Sequence, residues 1–284
     1  MTTLHEPTRN QALDQLVAAA LHQARADWEH LTNAQQQLLR TFATARRRNR
    51  RTAGLSSVPA SLREGLSLFN VATARFNTNL GALAERWAAV DLPRAYRLGA
   101  EDALTHAVLA RGGHRPAFAW NATHQHALST LTAASYPVLI RRVSDTVRRS
   151  QAFARAIATA ARAAEPPTAA ELAAQHPLDT VTYARGAQHP VASWARTALA
   201  AQGISAANTG ALTATTADLD AQWVQVIDGP ECGWTSHDEL DRAHDTLRSA
   251  DEAASYPIAH PGCLRRFIPR PDLNTAAIEE GQPA

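Results

Sequence analysis

The chain has 284 residues, of which 45% are apolar and 19% charged, a balance typical of a soluble globular protein with one large or two ordinary domains. Apart from histidine, all basic side chains are arginine, and the formal net charge of +2 argues against a strongly basic nucleic-acid-binding surface. Two cysteines exclude a disulfide scaffold, and the sequence shows neither a secretory signal nor the roughly 18 uninterrupted apolar residues of a membrane span.

Long amphipathic helices are predicted for the N-terminal half of the chain. The first begins after Thr8, with an apolar stripe at Leu13, Leu16, Val17, Ala20, Leu21, Ala24, Trp28, Leu31, Leu38 and Phe42. The second follows Pro59 and has an apolar seam at Leu62, Leu66, Phe69, Phe76, Leu80, Leu83, Trp87 and Val90. A third has Pro93 in its first turn and ends at Gly112-Gly113. We expect these three helices to pack as antiparallel hairpins.

Two arginine-rich stretches are candidate contacts for nucleic acid or for a partner protein. Five arginines fall within six positions, with no acid nearby: Arg46, Arg47, Arg48, Arg50 and Arg51. Such a run fits a contact with DNA phosphates or an acidic partner, and it fits equally a solvated loop between helices. A fourth helix is predicted from Thr123 to an alanine-rich end, with an interruption at Tyr136-Pro137. Its arginines also fit either phosphate contacts or a solvated face.

A domain boundary is predicted at Glu165-Pro166-Pro167-Thr168, because two consecutive prolines prevent a helix from continuing. We therefore expect a helical N-terminal region at 1–165, an α+β module at 170–272 and a flexible tail at 273–284. The module has three segments with strand patterns and one with a helix pattern, in order Thr180–Tyr183, Val191–Ala207 (the helix), Trp223–Ile227 and Phe267-Ile268. The predicted fold class is mainly α with a small α+β C-terminal module.

Both cysteines lie in this module and alternate with histidines around one polar loop. A loop that returns Cys263 and His260 to Cys232, with His237 available, could supply the tetrahedral Cys₂His₂ ligands of a structural zinc ion. Two alternatives remain open: a disulfide between Cys232 and Cys263, or two buried thiols that act as small apolar side chains.

Sequence motifs of catalysis are absent. Ser236-His237-Asp238 contains the residue types of a hydrolase triad, but adjacent side chains diverge and cannot form the hydrogen-bonded chain that such catalysis needs. No nucleotide-binding glycine loop, nucleophile elbow or zinc-protease motif occurs. We therefore expect an interaction protein and not an enzyme.

The C-terminal third resembles the head-morphogenesis proteins of tailed bacteriophages, the minor capsid families related to the Mu minor head protein. Its sequence around Cys232, GPECGWTSHD, is especially similar to that of actinobacterial phages. The resemblance is carried by Asp228-Gly229, Cys232, the run Pro257-Ile258-Ala259-His260-Pro261-Gly262-Cys263, and Arg265-Arg266. Val181-Thr182-Tyr183 with Gly186, and Trp194-Ala195-Arg196-Thr197, add to it. Many relatives carry paired cysteines, whereas Thr235 and Arg265 stand at the second position of each pair here, which excludes a four-cysteine metal site.

This resemblance implies a structural minor head protein. Its expected partners are the portal protein and the major capsid or scaffolding protein, with phage DNA as a further candidate. Arg265 and Arg266, together with the Arg46 to Arg51 run, are the candidate contacts for nucleic acid or for a partner. Its expected location is the head interior near the portal, and the host cytoplasm during assembly. A DNA-binding module and a metal-dependent nuclease of the treble-clef type are the alternatives.

Overall fold

The computed structural model describes residues 8–49, 58–111, 117–183 and 187–274, with the side chains of 49 and 108–111 excepted. The helices in these ranges are α1 (Arg9–Asn49), α2 (Ala60–Arg86), α3 (Leu92–Arg111), α4 (Ala122–Ala160), α5 (Ala169–Gln175), α6 (Val191–Ala217) and α7 (Ala250–Ser255). The strands are β1 (Thr180–Thr182), β2 (Gln188–Pro190), β3 (Trp223–Ile227), β4 (Leu247–Ser249) and β5 (Arg266–Pro269). The predicted fold class is confirmed, and none of the described helices is long and apolar enough to cross a membrane.

Two compact units share these elements, and neither is continuous along the chain. The first unit comprises Met1–Ala20, Arg86–Tyr136 and Arg196–Ala284, and the second comprises Leu21–Glu85 and Pro137–Ala195. Because α1, α4 and α6 each contribute residues to both units, contacts divide the chain differently from the predicted boundary at 165–168, which lies within the second unit. The predicted tail at 273–284 lies outside the described residues except for Leu273 and Asn274.

Two features of the long helices differ from the sequence pattern. The sequence predicts an interruption at Pro137, but α4 continues through it. A proline inside a helix costs about 3 kcal/mol through a lost hydrogen bond and a clash, and burial of Val143, Phe153 and Ile157 farther along α4 offsets this cost. The π-helical turn Trp87–Asp91 joins α2 to α3 without a loop, whereas the sequence predicts two separate helices; Pro93 lies in the first turn of α3, as predicted.

In the first unit, α6 packs against α3 and against a three-stranded antiparallel sheet with the strand order β4-β3-β5, and α3 also contacts β5. The two helices approach closely because each has a glycine at the contact: a Cβ on Gly99 would lie 1.7 Å from the carbonyl oxygen of Ala207, and one on Gly210 would lie 2.0 Å from that of Tyr96. On its other side α6 packs Leu212 against the sheet, in an apolar cluster with Val224, Val226, Trp234, Ala243, Ala253 and Phe267.

The helices and the β1–β2 hairpin are the regular elements of the second unit in its described residues, and aromatic side chains form much of its core. Trp28 on α1 contacts Phe76 on α2 edge to face at 4.7 Å, and Phe69 contacts Phe153 on α4 at 5.2 Å. The apolar stripe predicted for α1 includes Trp28, and most of its side chains are buried, so the stripe packs as the spacing predicts. The short α5 begins with a capping box in which Thr168 and Glu171 satisfy each other's backbone N–H groups.

Candidate metal centre

The Cys/His loop begins where β3 ends, within the first unit. After Asp228-Gly229 the chain turns, and the N–H of Cys232 donates to the carbonyl of Gly229 at 2.9 Å. The backbone then forms a small hairpin in which the N–H of Ala243 donates to the carbonyl of Cys232 at 3.0 Å. Asn208 of α6 anchors the returning segment by donating to the carbonyls of Pro257 at 2.7 Å and Arg265 at 2.9 Å. These backbone contacts fix where Cys232 and His260 meet.

Cys232, His237 and His260 bring three potential metal-binding atoms within 4.8 Å of one another. Cys232 Sγ lies 3.3 Å from His260 Nε2, and the two imidazole rings meet edge to face at 4.7 Å. With metal–nitrogen bonds of about 2.0 Å and metal–sulfur bonds of about 2.3 Å, tetrahedral ligand atoms lie roughly 3.3–3.8 Å apart. Small side-chain rotations would bring these three donors to such distances, so the cluster could hold a metal ion.

The ring of His260 has the tautomer that metal binding requires. Its Nδ1 lies 3.1 Å from the carbonyl oxygen of Pro261, and a carbonyl only accepts, so Nδ1 carries the proton. Nε2 therefore presents its lone pair toward Cys232. A backbone carbonyl that holds the second nitrogen of a histidine in this way is a common outer partner of metal ligands.

Cys263, the fourth predicted ligand, lies beside Asp228 and outside this three-residue group. Its buried thiol is 3.4 Å from both carboxylate oxygens of Asp228. Both cysteines are free thiols in the structure. Burial raises the pKa of each thiol, and the Asp228 carboxylate raises both further, which favours protonated thiols in the absence of a metal.

Arg265 is a structural residue, and the predicted role of this side chain in contacting DNA or a partner is wrong. It is fully buried, as is the Asp228 side chain with which its Nε pairs at 2.9 Å. Its terminal nitrogens donate to the carbonyls of Trp234, Tyr256 and Gly233 at 2.8–2.9 Å. The guanidinium also lies 4.5 Å above the Trp234 ring. One side chain thus ties the start, middle and end of the loop together.

Arg266 is also engaged within the first unit. Its guanidinium forms two hydrogen bonds of 2.7 Å with the carboxylate of Asp102 on α3, and His106 lies against the same guanidinium. Only 27% of the Arg266 side chain is exposed. Because a bidentate pair with a carboxylate occupies the donor face, this arginine has a partner within the chain in place of the predicted external one.

The structure places part of the Arg46 to Arg51 run on α1. Arg46, Arg47 and Arg48 form the last turn of that helix, where positive charge is favourable, so these three do not lie in a loop. Arg47 and Arg48 are exposed, whereas Arg46 is half-buried and reaches the carbonyl of Ala163 at 3.5 Å. Arg50 and Arg51 lie outside the described residues.

Sequence reasoning missed Asp228 and Asp102 as partners of these arginines, and it missed a hydrogen-bonded relay elsewhere in the first unit that runs from buried side chains to an exposed acid. In that relay Tyr96 bonds His124 Nδ1 at 2.8 Å, and Nε2 of the same imidazole bonds Asp218 at 3.0 Å. The Asp228-Gly229 turn could have indicated this pairing, because an aspartate buried beside the two cysteines needs a cationic partner. No local pattern marks the other residues, which come from distant parts of the chain.

Comparisons with known proteins find no family model, no curated protein and no solved structure that matches this chain. The resemblance to phage head-morphogenesis proteins therefore rests on the motif residues themselves.

Proposed function

We propose that this chain is a structural minor head protein of a tailed bacteriophage, which associates with the portal and with the capsid or scaffolding protein in the procapsid interior. One observation carries the proposal: five of the residues that bear the resemblance, although up to 37 positions apart, converge on one loop. Asp228, Cys232, His260, Cys263 and Arg265 are joined there by direct contacts. If this chain and the phage head-morphogenesis proteins have the same fold, the residues of their common motif should meet in this way.

The remaining architecture suits assembly. Helices α1 and α4 extend over 41 and 39 residues, and α2 exposes Leu68 by 61% and Val71 by 64%. Neighbouring exposed apolar side chains on a long helix favour contact with another subunit. Ser236, His237 and Asp238 are exposed and consecutive, and adjacent side chains diverge, which argues against a hydrolase triad in this loop.

We also propose that the Cys232–His237–His260 cluster binds zinc and that this ion stabilises the loop. Thiolate and imidazole donors are those that zinc prefers. Full-length protein purified without chelator should contain about one zinc per chain by elemental analysis. The variant His237→Ala removes a donor that is exposed in the structure, so it should lose the metal without unfolding the core. The same zinc content in this variant and in the original chain would contradict the assignment.

Incorporation into heads tests the structural role. Procapsids and heads assembled with the portal and capsid proteins should contain this chain in far fewer copies than the major capsid protein, and portal rings should retain it in the absence of DNA. Deletion of the segment from Trp223 onward should abolish incorporation, whereas the surface substitution Arg270→Ala should not. A chain found only in the soluble fraction would contradict the proposal.

A metal-dependent nuclease is the second candidate, and the observation that favours it is the number of chain ligands. Three donors, one of them on the exposed His237, are typical of sites that act on a bound water, whereas closed structural sites use four. Metal-dependent nicking of plasmid DNA that disappears in His260→Ala would establish this activity. Gel-shift binding that weakens with salt and with Arg47→Gln and Arg48→Gln would instead indicate DNA binding by the end of α1.

A further inference from the structure

The Cys232–His237–His260 cluster lacks a fourth ligand from the described part of the chain. We propose that its metal ion keeps one coordination position open to solvent, and that this position accepts an anionic donor, such as a carboxylate, from outside the chain. The inference rests on the proposed zinc binding. It replaces a closed Cys₂His₂ site with a three-ligand site that can join this protein to an acidic group of a partner.

Three nearby side chains that could complete the site are engaged elsewhere. Cys263 directs its thiol to Asp228. The Asp228 carboxylate in turn binds the buried guanidinium of Arg265 and accepts from the N–H of Gly229. His244 accepts from the backbone N–H of Asp228 at 3.1 Å through its Nδ1. Among the described residues, no fourth histidine, cysteine or acid joins the group within 4.8 Å.

Recruitment of Cys263 would disrupt a buried network. The thiol would have to leave Asp228, whose counter-ion Arg265 is fixed by three further hydrogen bonds to backbone carbonyls. Cys263 is also held by its own backbone, which donates to the carbonyl of His260 at 3.0 Å, next to Gly262 at a φ of +91°. The buried ion pair therefore separates the two cysteines into different roles, one at the metal and one in the core.

Exposure places the open position on the surface. Cys232 is buried, with 8% of its surface exposed, His260 is half-buried, and His237 is exposed. An ion held by these three side chains would have the thiolate beneath it and an imidazole at the rim. The remaining coordination direction then faces solvent, where a ligand from another molecule can reach it.

The charge of the loaded site favours an anion. A divalent ion with one thiolate and two neutral imidazoles carries a net charge of +1. The nearest buried acid, Asp228, is already neutralised by Arg265. Two other acids of the loop are paired as well, Glu231 with Arg242 and Asp241 with Arg248. Glu239 accepts hydrogen bonds from the N–H and hydroxyl of Thr235. Asp238 is exposed beside His237 but does not join the three-donor group, so a carboxylate from outside the chain can supply the balancing charge.

Cobalt substitution and X-ray absorption test this inference on the full chain. Zinc-edge absorption should show one sulfur at about 2.3 Å and the remaining donors as nitrogen or oxygen at about 2.0–2.2 Å. With Co²⁺ in place of zinc, acetate should shift the visible absorption bands in a saturable way, whereas neutral acetamide of the same size should leave them unchanged. Cys263→Ser should retain both the metal and the acetate response, and Cys232→Ser or the better tolerated His237→Ala should lose both.

The outcomes separate this inference from the proposals on which it depends. Two sulfurs per zinc, together with loss of metal in Cys263→Ser, would replace the open site with the closed Cys₂His₂ set while leaving zinc binding intact. Bound metal with no response to acetate, or with an equal response to acetamide, would also overturn the inference. Failure to bind Zn²⁺ or Co²⁺ would overturn both the proposed zinc binding and this inference. None of these outcomes bears on the proposed incorporation into heads, which is tested separately.

Discussion

Replacement of Arg265 by alanine should open the loop from Asp228 to Arg265 and the sheet formed by β3, β4 and β5. The substitution leaves the Asp228 carboxylate buried without its cation, and it removes the donors to the carbonyls of Gly233, Trp234 and Tyr256. Loss of one partner from a buried ion pair costs about 3–5 kcal/mol, and each buried acceptor left without a partner adds to that. We expect at least about 4 kcal/mol, which corresponds to roughly a thousandfold larger population of open molecules.

Hydrogen–deuterium exchange measured by mass spectrometry can detect this opening, because it reports local stability peptide by peptide. Amides of β3 and β5 should exchange about a thousandfold faster in Arg265→Ala than in the original chain. Arg265→Lys should fall in between, since lysine keeps the charge but not the planar fork that reaches four acceptors. The control is Arg270→Ala, whose pair with Asp272 is partly exposed on both sides and is worth about 1 kcal/mol or less. An acceleration below tenfold in Arg265→Ala, matching that control, would refute the role assigned to the buried pair.

Three further predictions concern the helices. Gly99→Ala should destabilise the first unit severely, because the new Cβ would lie 1.7 Å from the carbonyl oxygen of Ala207. At Gly81 a new Cβ would have no packing neighbour within 4 Å, so Gly81→Ala should raise the free energy of unfolding by about 0.5–1 kcal/mol. Thermal melts of the two variants compare them directly. Burial raises the pKa of Tyr96 from 10.0 to about 12, so the stability that the protonated phenol contributes is fully present below pH 10 and is lost as pH rises through 12. Tyr96→Phe cannot ionise and should not show this loss of about 3 kcal/mol at alkaline pH. Equal alkaline denaturation of the variant and the original chain would contradict this prediction. Thr168→Ala should cost about 1 kcal/mol by removing the cap of α5, which urea titration of the second unit can measure.

The elements that the sequence predicts correctly are those with a strong local period. The apolar stripe of α1 extends from Leu13 to Phe42 in a 41-residue helix, and the alternation from Trp223 to Ile227 coincides with β3. The predicted strand at Phe267-Ile268 lies within β5, and α6 begins at Val191 as expected but extends to Ala217. In contrast, β4 and α7 are too short to show a period, and their positions depend on pairing with β3 and on the cap at Ser249.

The residue types around the loop determined by themselves that Cys232, His237, His260 and Cys263 are candidate metal ligands, since thiol and imidazole side chains recur there with turn residues between them. The tertiary structure decided which donors meet. It directed Cys263 to Asp228, and it turned Arg265 from a presumed surface contact into the buried cation of the module. A local pattern records which groups are available, but the partner of a charge is set by which distant segments pack beside it. Burial then decides the outcome, because a charge removed from water requires a counter-ion wherever the fold supplies one.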